Sequence, residues 1–247
     1  MPTDTTLLAT VATKTATAIS LLREAASRYA PVVFANSLGA EDMLLTDLIW
    51  RERIAIDIFS LDTGRLPAET YALIATAEQH YGQRIELIFP RPESVEGFVQ
   101  QYGINGFYDS IEARKACCHA RKVEPLQRVL AGKGAWVTGL RAAQSATRVN
   151  VEPIAPDDGN GLIKISPLAD WSEEEVWAYI RANNVPYNAL HDQGYPSIGC
   201  APCTRAIQPG EDIRAGRWWW ENPQTKECGL HMVDGRLQRI VKEGTAS

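Results

Sequence analysis

Five cysteines carry much of the chemistry open to this chain. Two are adjacent, in Ala116-Cys117-Cys118-His119, and two are separated by two residues, in Gly199-Cys200-Ala201-Pro202-Cys203. The fifth, Cys228, stands alone in Lys226-Glu227-Cys228-Gly229-Leu230-His231. Thiolates serve as metal ligands and as nucleophiles, so the pattern suggests four ligands and one nucleophile. Zinc takes four thiolates in a tetrahedron, usually from two Cys-x-x-Cys knuckles, and the adjacent pair would chelate one small ion only with strain. A [4Fe–4S] cube offers four iron corners, so adjacent cysteines can each take a different iron. A redox dithiol at Cys200 and Cys203, or four buried structural thiols, remain open on spacing alone.

The second group of chemistry-bearing residues lies in turns after apolar runs. Val32-Val33-Phe34-Ala35 reads as a buried strand and is followed by Asn36-Ser37-Leu38-Gly39-Ala40-Glu41-Asp42, which opens a helix through Trp50. A strand, a small-residue turn and a helix N-terminus point backbone N–H groups at an anion. The pattern returns in the strand Ile54 to Leu61, the turn Leu61-Asp62-Thr63-Gly64-Arg65-Leu66-Pro67 and a helix from Ala68 to Tyr81. Ile85 to Phe89 reads as a third strand, Val95 to Tyr102 as a short helix, and His119 to Leu130 as a helix following the cysteine pair. Ala135 to Leu140 reads as a fourth strand, ending at Gly139-Leu140-Arg141. Strands alternating with helices predict an α/β, doubly wound parallel sheet. Ligands of such sheets bind beyond the carboxyl ends of the strands, where Ser37, Gly39, Asp62, Gly64 and Arg141 all fall.

The rest of the chain frames these loops. An N-terminal helix is expected over residues 5–29, with Leu8, Val11, Ile19 and Leu22 inward. Asp157-Asp158-Gly159-Asn160 suggests a hairpin connection leading to a strand from Leu162 to Ile165. Asp170 or Ser172 caps a helix to Asn183, with Ser172 and Glu175 spaced as a capping box. Two units are expected: residues 1–208 as the α/β unit, and 209–247 as a lid or tail that docks by Trp218-Trp219-Trp220 and carries Cys228.

Bulk properties exclude several classes. The chain has 247 residues, 45% hydrophobic and 22% charged, with a net charge of −5. That size needs no disulfide staples, and the acidic balance argues against a nucleic-acid partner. No uninterrupted apolar run reaches about 18 residues, so no membrane partner is expected. Met1 to Thr13 lacks the basic, then apolar order of a signal peptide, so the expected location is cytoplasmic, where thiols are more often metal-bound or catalytic than cross-linked.

Taken together, these motifs resemble the assimilatory adenylyl-sulfate reductases, the iron–sulfur branch of the adenylyl-sulfate/phosphoadenylyl-sulfate reductase family. The resemblance runs from Val32 to His231 through Asn36-Ser37-Leu38-Gly39-Ala40-Glu41-Asp42, Leu61-Asp62-Thr63-Gly64-Arg65-Leu66, and Cys117-Cys118 with Arg121-Lys122. It continues through Gly139-Leu140-Arg141 with Gln144-Ser145, Cys200-Ala201-Pro202-Cys203, Arg214 with Arg217-Trp218, and Lys226-Glu227-Cys228-Gly229-Leu230-His231. Ala35 departs from it, standing where a serine is expected. The resemblance implies an adenine nucleotide alpha hydrolase-like fold and reduction of adenosine 5′-phosphosulfate to sulfite and AMP through a thiosulfonate on Cys228. It implies one [4Fe–4S] cluster on Cys117, Cys118, Cys200 and Cys203. Catalytic roles would fall to Cys228, Lys122 and His231. Substrate contacts would come from Ser37, Gly39, Asp42, Thr63, Gly64, Arg65, Arg141, Gln144, Arg214 and Arg217. The implied partners are thioredoxin or a similar dithiol protein and, in assembly, a homo-oligomer. The same chemistry on the 3′-phosphorylated nucleotide is the nearest rival. A tRNA-thiolating ATP pyrophosphatase would need a Ser-Gly-Gly-x-Asp-Ser loop, which Ser37 to Asp42 does not match. A zinc-bound nucleotide-binding module without catalysis would leave Cys228 unexplained.

Overall fold

A computed structural model describes residues 4–144 and 151–222. Its frame is one six-stranded sheet of β1 (Val32–Ala35), β2 (Asp57–Leu61), β3 (Glu86–Ile88), β4 (Ala135–Val137), β5 (Ile154–Asp157) and β6 (Leu162–Ile165). The spatial order is β3-β2-β1-β4-β6-β5, parallel except for the β5–β6 hairpin. The chain runs outward from β1 to β3, then returns across β1 to β4, so the order reverses between β1 and β4. Loops leaving those two strands must diverge, and a crevice opens between them.

Successive strand residues face opposite sides of the sheet, and the two cores follow that alternation. Val32, Phe34, Ile58, Ala135 and Val137 pack into the larger core, with α1 (Asp4–Arg28), α2 (Ala40–Arg51), α3 (Ala68–Tyr81) and α7 (Glu173–Asn183). Val33, Phe59 and Trp136 point the other way, onto Leu126 and Leu130 of α6 (Glu124–Leu130). A third apolar group backs the cysteines: Phe98 from α4 (Pro92–Tyr102), Phe107, and Cys117 from α5 (Ile111–Cys118), with Trp220 against them.

Most expected elements stand where the periodicity put them, and the differences have local causes. Leu8 is 44% exposed, because α1 turns Val11, Ala18, Leu22 and Ala25 inward instead. By length and composition α1 is long and apolar enough to cross a membrane; here its inner face packs on the core. Strand β2 starts only at Asp57, since Ile54 and Ile56 are buried within the tight turn that ends α2. Of the two proposed caps for α7, Ser172 is the one used, and its capping box with Glu175 is complete.

The largest difference concerns the cysteine pair, which ends an unexpected helix, α5, while the helical run expected from His119 to Leu130 follows it as a π-helical turn and α6. Ser110 caps α5, its Oγ accepting from the Ala113 N–H at 3.0 Å. A π-helical turn, His119–Val123, joins α5 to α6. Pro125 has no N–H to return to the Arg121 carbonyl, which weakens the regular ladder at this point. Such turns are often found at functional sites.

Candidate active site and cysteine centre

The β1–α2 loop is built around the Asp42 carboxylate. Its Oδ2 accepts from the Ser37 N–H at 2.6 Å and from the Ser37 hydroxyl at 2.5 Å. The Gly139 N–H, at the end of β4, donates to it as well. A side chain on Gly139 would overlap Asp42 Oδ1 and press to 3.0 Å on Glu41 Cβ. One carboxylate therefore ties together the two loops flanking the crevice. Leu38 sits at a φ of 64°, held by its N–H bond to Asn36 Oδ1 at 2.6 Å. Alongside, Glu41 pairs with Arg141 at 2.7 Å, and Arg141 also donates to the Trp171 carbonyl.

Burial pushes the Asp42 carboxyl up to about 6, against the lowering pull of the Ser37 and Gly139 donors. A folded-state value above the unfolded one costs stability as pH rises through the window between them, roughly 4 to 6 here. The cost of holding Asp42 ionised is on the order of 3 kcal/mol at neutral pH. Asp42→Asn is expected to lose this slope, which paired denaturant titrations across that window measure. Because only the carboxylate accepts all these donors, the tie between the two loops should tighten as pH rises through about 6.

Together the loops enclose a cavity of about 620 Å³, within the range of small-molecule sites. Ala35, Phe59, Leu61 and Leu126 contribute apolar lining, and Lys122, Arg214 and Arg217 contribute cationic lining. Ser37, Gly39, Asp42, Thr63 and Arg141 also line it. Gly64 and Arg65 lie outside this lining. Arg65 turns toward the cysteines, donating to the Ile104 carbonyl and lying over the Phe107 ring at 4.8 Å. Gln144 belongs to a short turn, Ala142–Gln144, at the end of the described segment. Cys228 and His231 lie outside the described residues.

Several lining residues escaped the sequence reading. Thr138, Trp177, Arg181 and His191 all face the cavity. Trp177 and Arg181 sit four apart on α7 and could have been found only by knowing that this helix packs beside the crevice.

The four other cysteines gather beside this cavity. Cys117, Cys118, Cys200 and Cys203 line one small second cavity with Arg65, Arg114, Arg121 and Lys122. Cys117 with Arg121, and Cys118 with Lys122, are four apart, so the cations share the thiol face. Burial raises the Cys117 thiol, and burial with the neighbouring Cys200 and Cys118 pushes Cys203 up to about 12. Burial would raise Cys200 too, but Lys122, a hydrogen bond with Thr63 Oγ1 at 3.3 Å, Arg217 and Arg121 bring it below the ordinary value.

Metal ligation requires all four as thiolates, and such uneven thiols ionise together only beside a positive centre. Arg121 Nη1 donates to the Thr63 carbonyl at 2.6 Å, yet its buried Nε has no hydrogen-bond partner. A cube's sulfides are acceptors that such a donor needs. Among the described residues, no three His, Cys, Asp or Glu side chains are arranged to hold a metal ion. Four thiols lining one cavity beside an unmet buried donor are groups that a [4Fe–4S] cluster could use.

The chain leaves this region along residues 209–222. Their described part is pinned to the second cysteine pair by the Trp218 N–H to the Cys203 carbonyl at 3.1 Å and by the Arg205 N–H to the Gly216 carbonyl. Trp218 is buried and Trp220 packs behind the cysteines, while Trp219 stays 49% exposed.

Residues 31–206 match the family model described as the phosphoadenosine phosphosulfate reductase domain. The chain belongs to this reductase family. Similar relatives include the adenosine 5′-phosphosulfate reductase of Allochromatium vinosum, 63% identical over 222 residues, spanning 90% of this chain and 87% of that protein. The adenosine 5′-phosphosulfate reductase of Burkholderia cepacia is 54% identical over 231 residues, spanning 94% and 92%. Among solved structures, the phosphoadenylyl-sulfate reductase of Candida auris in its phosphate complex aligns with a TM-score of 0.66 at 28% identity, covering 77% of this chain and 90% of that one. The FMN adenylyltransferase of Candida glabrata, at 18% identity and a TM-score of 0.57 over 92% and 81% of the two chains, shares the fold. Within the reductase family match fall Ser37, Thr63, Lys122, Arg141 and all four clustered cysteines; Arg214 and Arg217 lie just beyond it.

Proposed function

We propose that this chain reduces adenosine 5′-phosphosulfate to sulfite and AMP, with electrons from an external dithiol, in assimilatory sulfate reduction. Lys122 carries the reading, because it lines both the nucleotide-sized cavity and the cysteine cavity. The names of the relatives support the substrate. Glu41 and Asp42 already occupy the N-terminus of α2, which suits the β1–α2 loop to the nucleoside and not to a dianion. The apolar lining would take the adenine, and Lys122, Arg214 and Arg217 the phosphate and sulfate; paired N–H donors of arginine match such oxygens.

In this reading the Cys228 thiolate attacks the sulfate sulfur. The bond from that sulfur to the bridging oxygen breaks, and the oxygen leaves with AMP. The cations neutralise charge that concentrates on the leaving phosphate. A thiolate of the external dithiol then attacks the Cys228 sulfur, sulfite departs with the electron pair, and the second thiol closes a disulfide on the partner. With four cysteines committed as ligands, Cys228 has no internal resolving thiol, so a thioredoxin-like protein in a reducing cytosol is part of the proposal. A [4Fe–4S] cluster on Cys117, Cys118, Cys200 and Cys203 would supply a fixed charge beside the anionic end and order Lys122.

The test is a single turnover of anaerobically purified protein without reductant, followed by intact-mass measurement. An added SO3 on the peptide of Cys228, removed by thioredoxin, is the expected result. An adduct formed only with the 3′-phosphorylated nucleotide would reassign the substrate, and none with either would end the reductase reading.

A further inference from the structure

Gly199 precedes a proposed cluster ligand, yet its backbone has no need of glycine. Its φ is not among the positive values found at Gly64, Gly194 and Gly210, so alanine could adopt the same conformation. What an alanine would meet is Arg217. A Cβ built on Gly199 overlaps Arg217 Nη2 and comes within 2.6 Å of Cζ and 3.1 Å of Nε. The guanidinium therefore lies across the bare Cα of Gly199. Its Nη1 donates to Ser197 Oγ and to the Ile198 carbonyl, both at 3.3 Å, and its Cζ is 4.8 Å from the Trp218 ring centre. The backbone around this berth is fixed separately, by the Gly199 N–H to Thr204 Oγ1 at 3.1 Å and by the bridge between Thr204 and Arg217.

We propose that Gly199 is a positioning residue, whose missing side chain makes the berth that holds the Arg217 guanidinium at the anionic end of the cavity. This rests on the reading of Arg217 as a contact of the substrate's phosphosulfate. The displaced group in a Gly199→Ala protein is the far end of a flexible side chain, so the chain folds around the methyl and the arginine gives way. The loss then falls on substrate recognition and leaves stability and cluster retention alone. Misplacement of a binding group by about 1 Å costs as much as 10²-fold in rate, and a drop of that order in kcat/KM is expected.

A double-mutant cycle separates this role from a general effect on Cys200. Wild type, Gly199→Ala, Arg217→Ala and the double variant are compared for kcat/KM with adenosine 5′-phosphosulfate, melting temperature and visible cluster absorption. The expected outcome is a large loss for each single variant, no further loss on adding Gly199→Ala to Arg217→Ala, and unchanged absorption throughout. A Gly199→Ala defect that persists in full in the Arg217→Ala background, or that comes with lost absorption or failed folding, overturns the proposal. So does a fully active Gly199→Ala beside an impaired Arg217→Ala. A fully active Arg217→Ala instead removes the role assigned to Arg217, and the berth loses its purpose with it.

Discussion

Lys122→Ala is expected to lower kcat/KM for adenosine 5′-phosphosulfate by about 10²- to 10³-fold, the range seen when one preorganised electrostatic contact is removed. Visible absorption per chain should remain that of the wild type. Lys122 follows Cys118 by four residues across the π-helical turn, and it lines both cavities. Its charge also contributes to lowering the Cys200 thiol. Yet the cysteines are placed by the backbones of α5 and of residues 200–203 and not by the Lys122 ammonium, so the proposed cluster should assemble without it. Lys122→Arg should recover only part of the rate, because a planar fork does not substitute for a compact ammonium. Steady-state kinetics with parallel absorption spectra check both statements. Full activity in Lys122→Ala would show that the two cavities are neighbours without being coupled, and the proposed role of the lysine would be lost.

How much of this was legible in the sequence depends on the range of the signal. Strands β1 and β4 showed as short buried runs, and α7 by its capping box, because those cues are local. The crevice followed from topology: once alternating strands and helices imply a reversal point, Ser37, Gly39 and Arg141 must meet there. The cysteine quartet was legible because its residue types are rare. What the sequence did not disclose is partnering. Arg141 could be placed at the rim, but not its pairing with Glu41, which lies 100 residues away in the chain. Asp42 could be assigned to the site, but not its bond to the far loop through Gly139. Arg65 sits in the same turn as Thr63 and still faces the other cavity, since adjacent residues in a tight turn diverge. The helix before the cysteine pair was missed because its apolar positions are few and Ser110 is its main signal.

The pairing of greatest consequence for stability was also invisible in the sequence. Arg114, on the cysteine-bearing helix α5, donates to both Glu221 oxygens, Nε to Oε1 at 2.7 Å and Nη2 to Oε2 at 2.9 Å. The two side chains are 1% and 5% exposed. The guanidinium also lies over Trp218 at 4.7 Å, and it interacts with Cys118. Glu221 thus fixes the chain beside the first cysteine pair, seven residues before Cys228 in the sequence. Burying such a pair is costly in desolvation, and the attraction is repaid only while both members are present. Removing the carboxylate leaves a guanidinium that cannot shed its charge. Glu221→Ala is therefore expected to destabilise the protein by roughly 3–5 kcal/mol, a fall of roughly 6–20 °C in melting temperature for a chain of this size. Glu221→Asp, which keeps the charge but shortens the reach, should fall between. Removing both charges in Arg114→Met/Glu221→Met should be less harmful than Glu221→Ala alone, since no charge is then stranded in the interior. Thermal melts of the three variants decide the matter. A Glu221→Ala protein that melts with the wild type would mean that solvent reaches Arg114, and the buried bidentate pair would not be what holds residues 218–221 against α5.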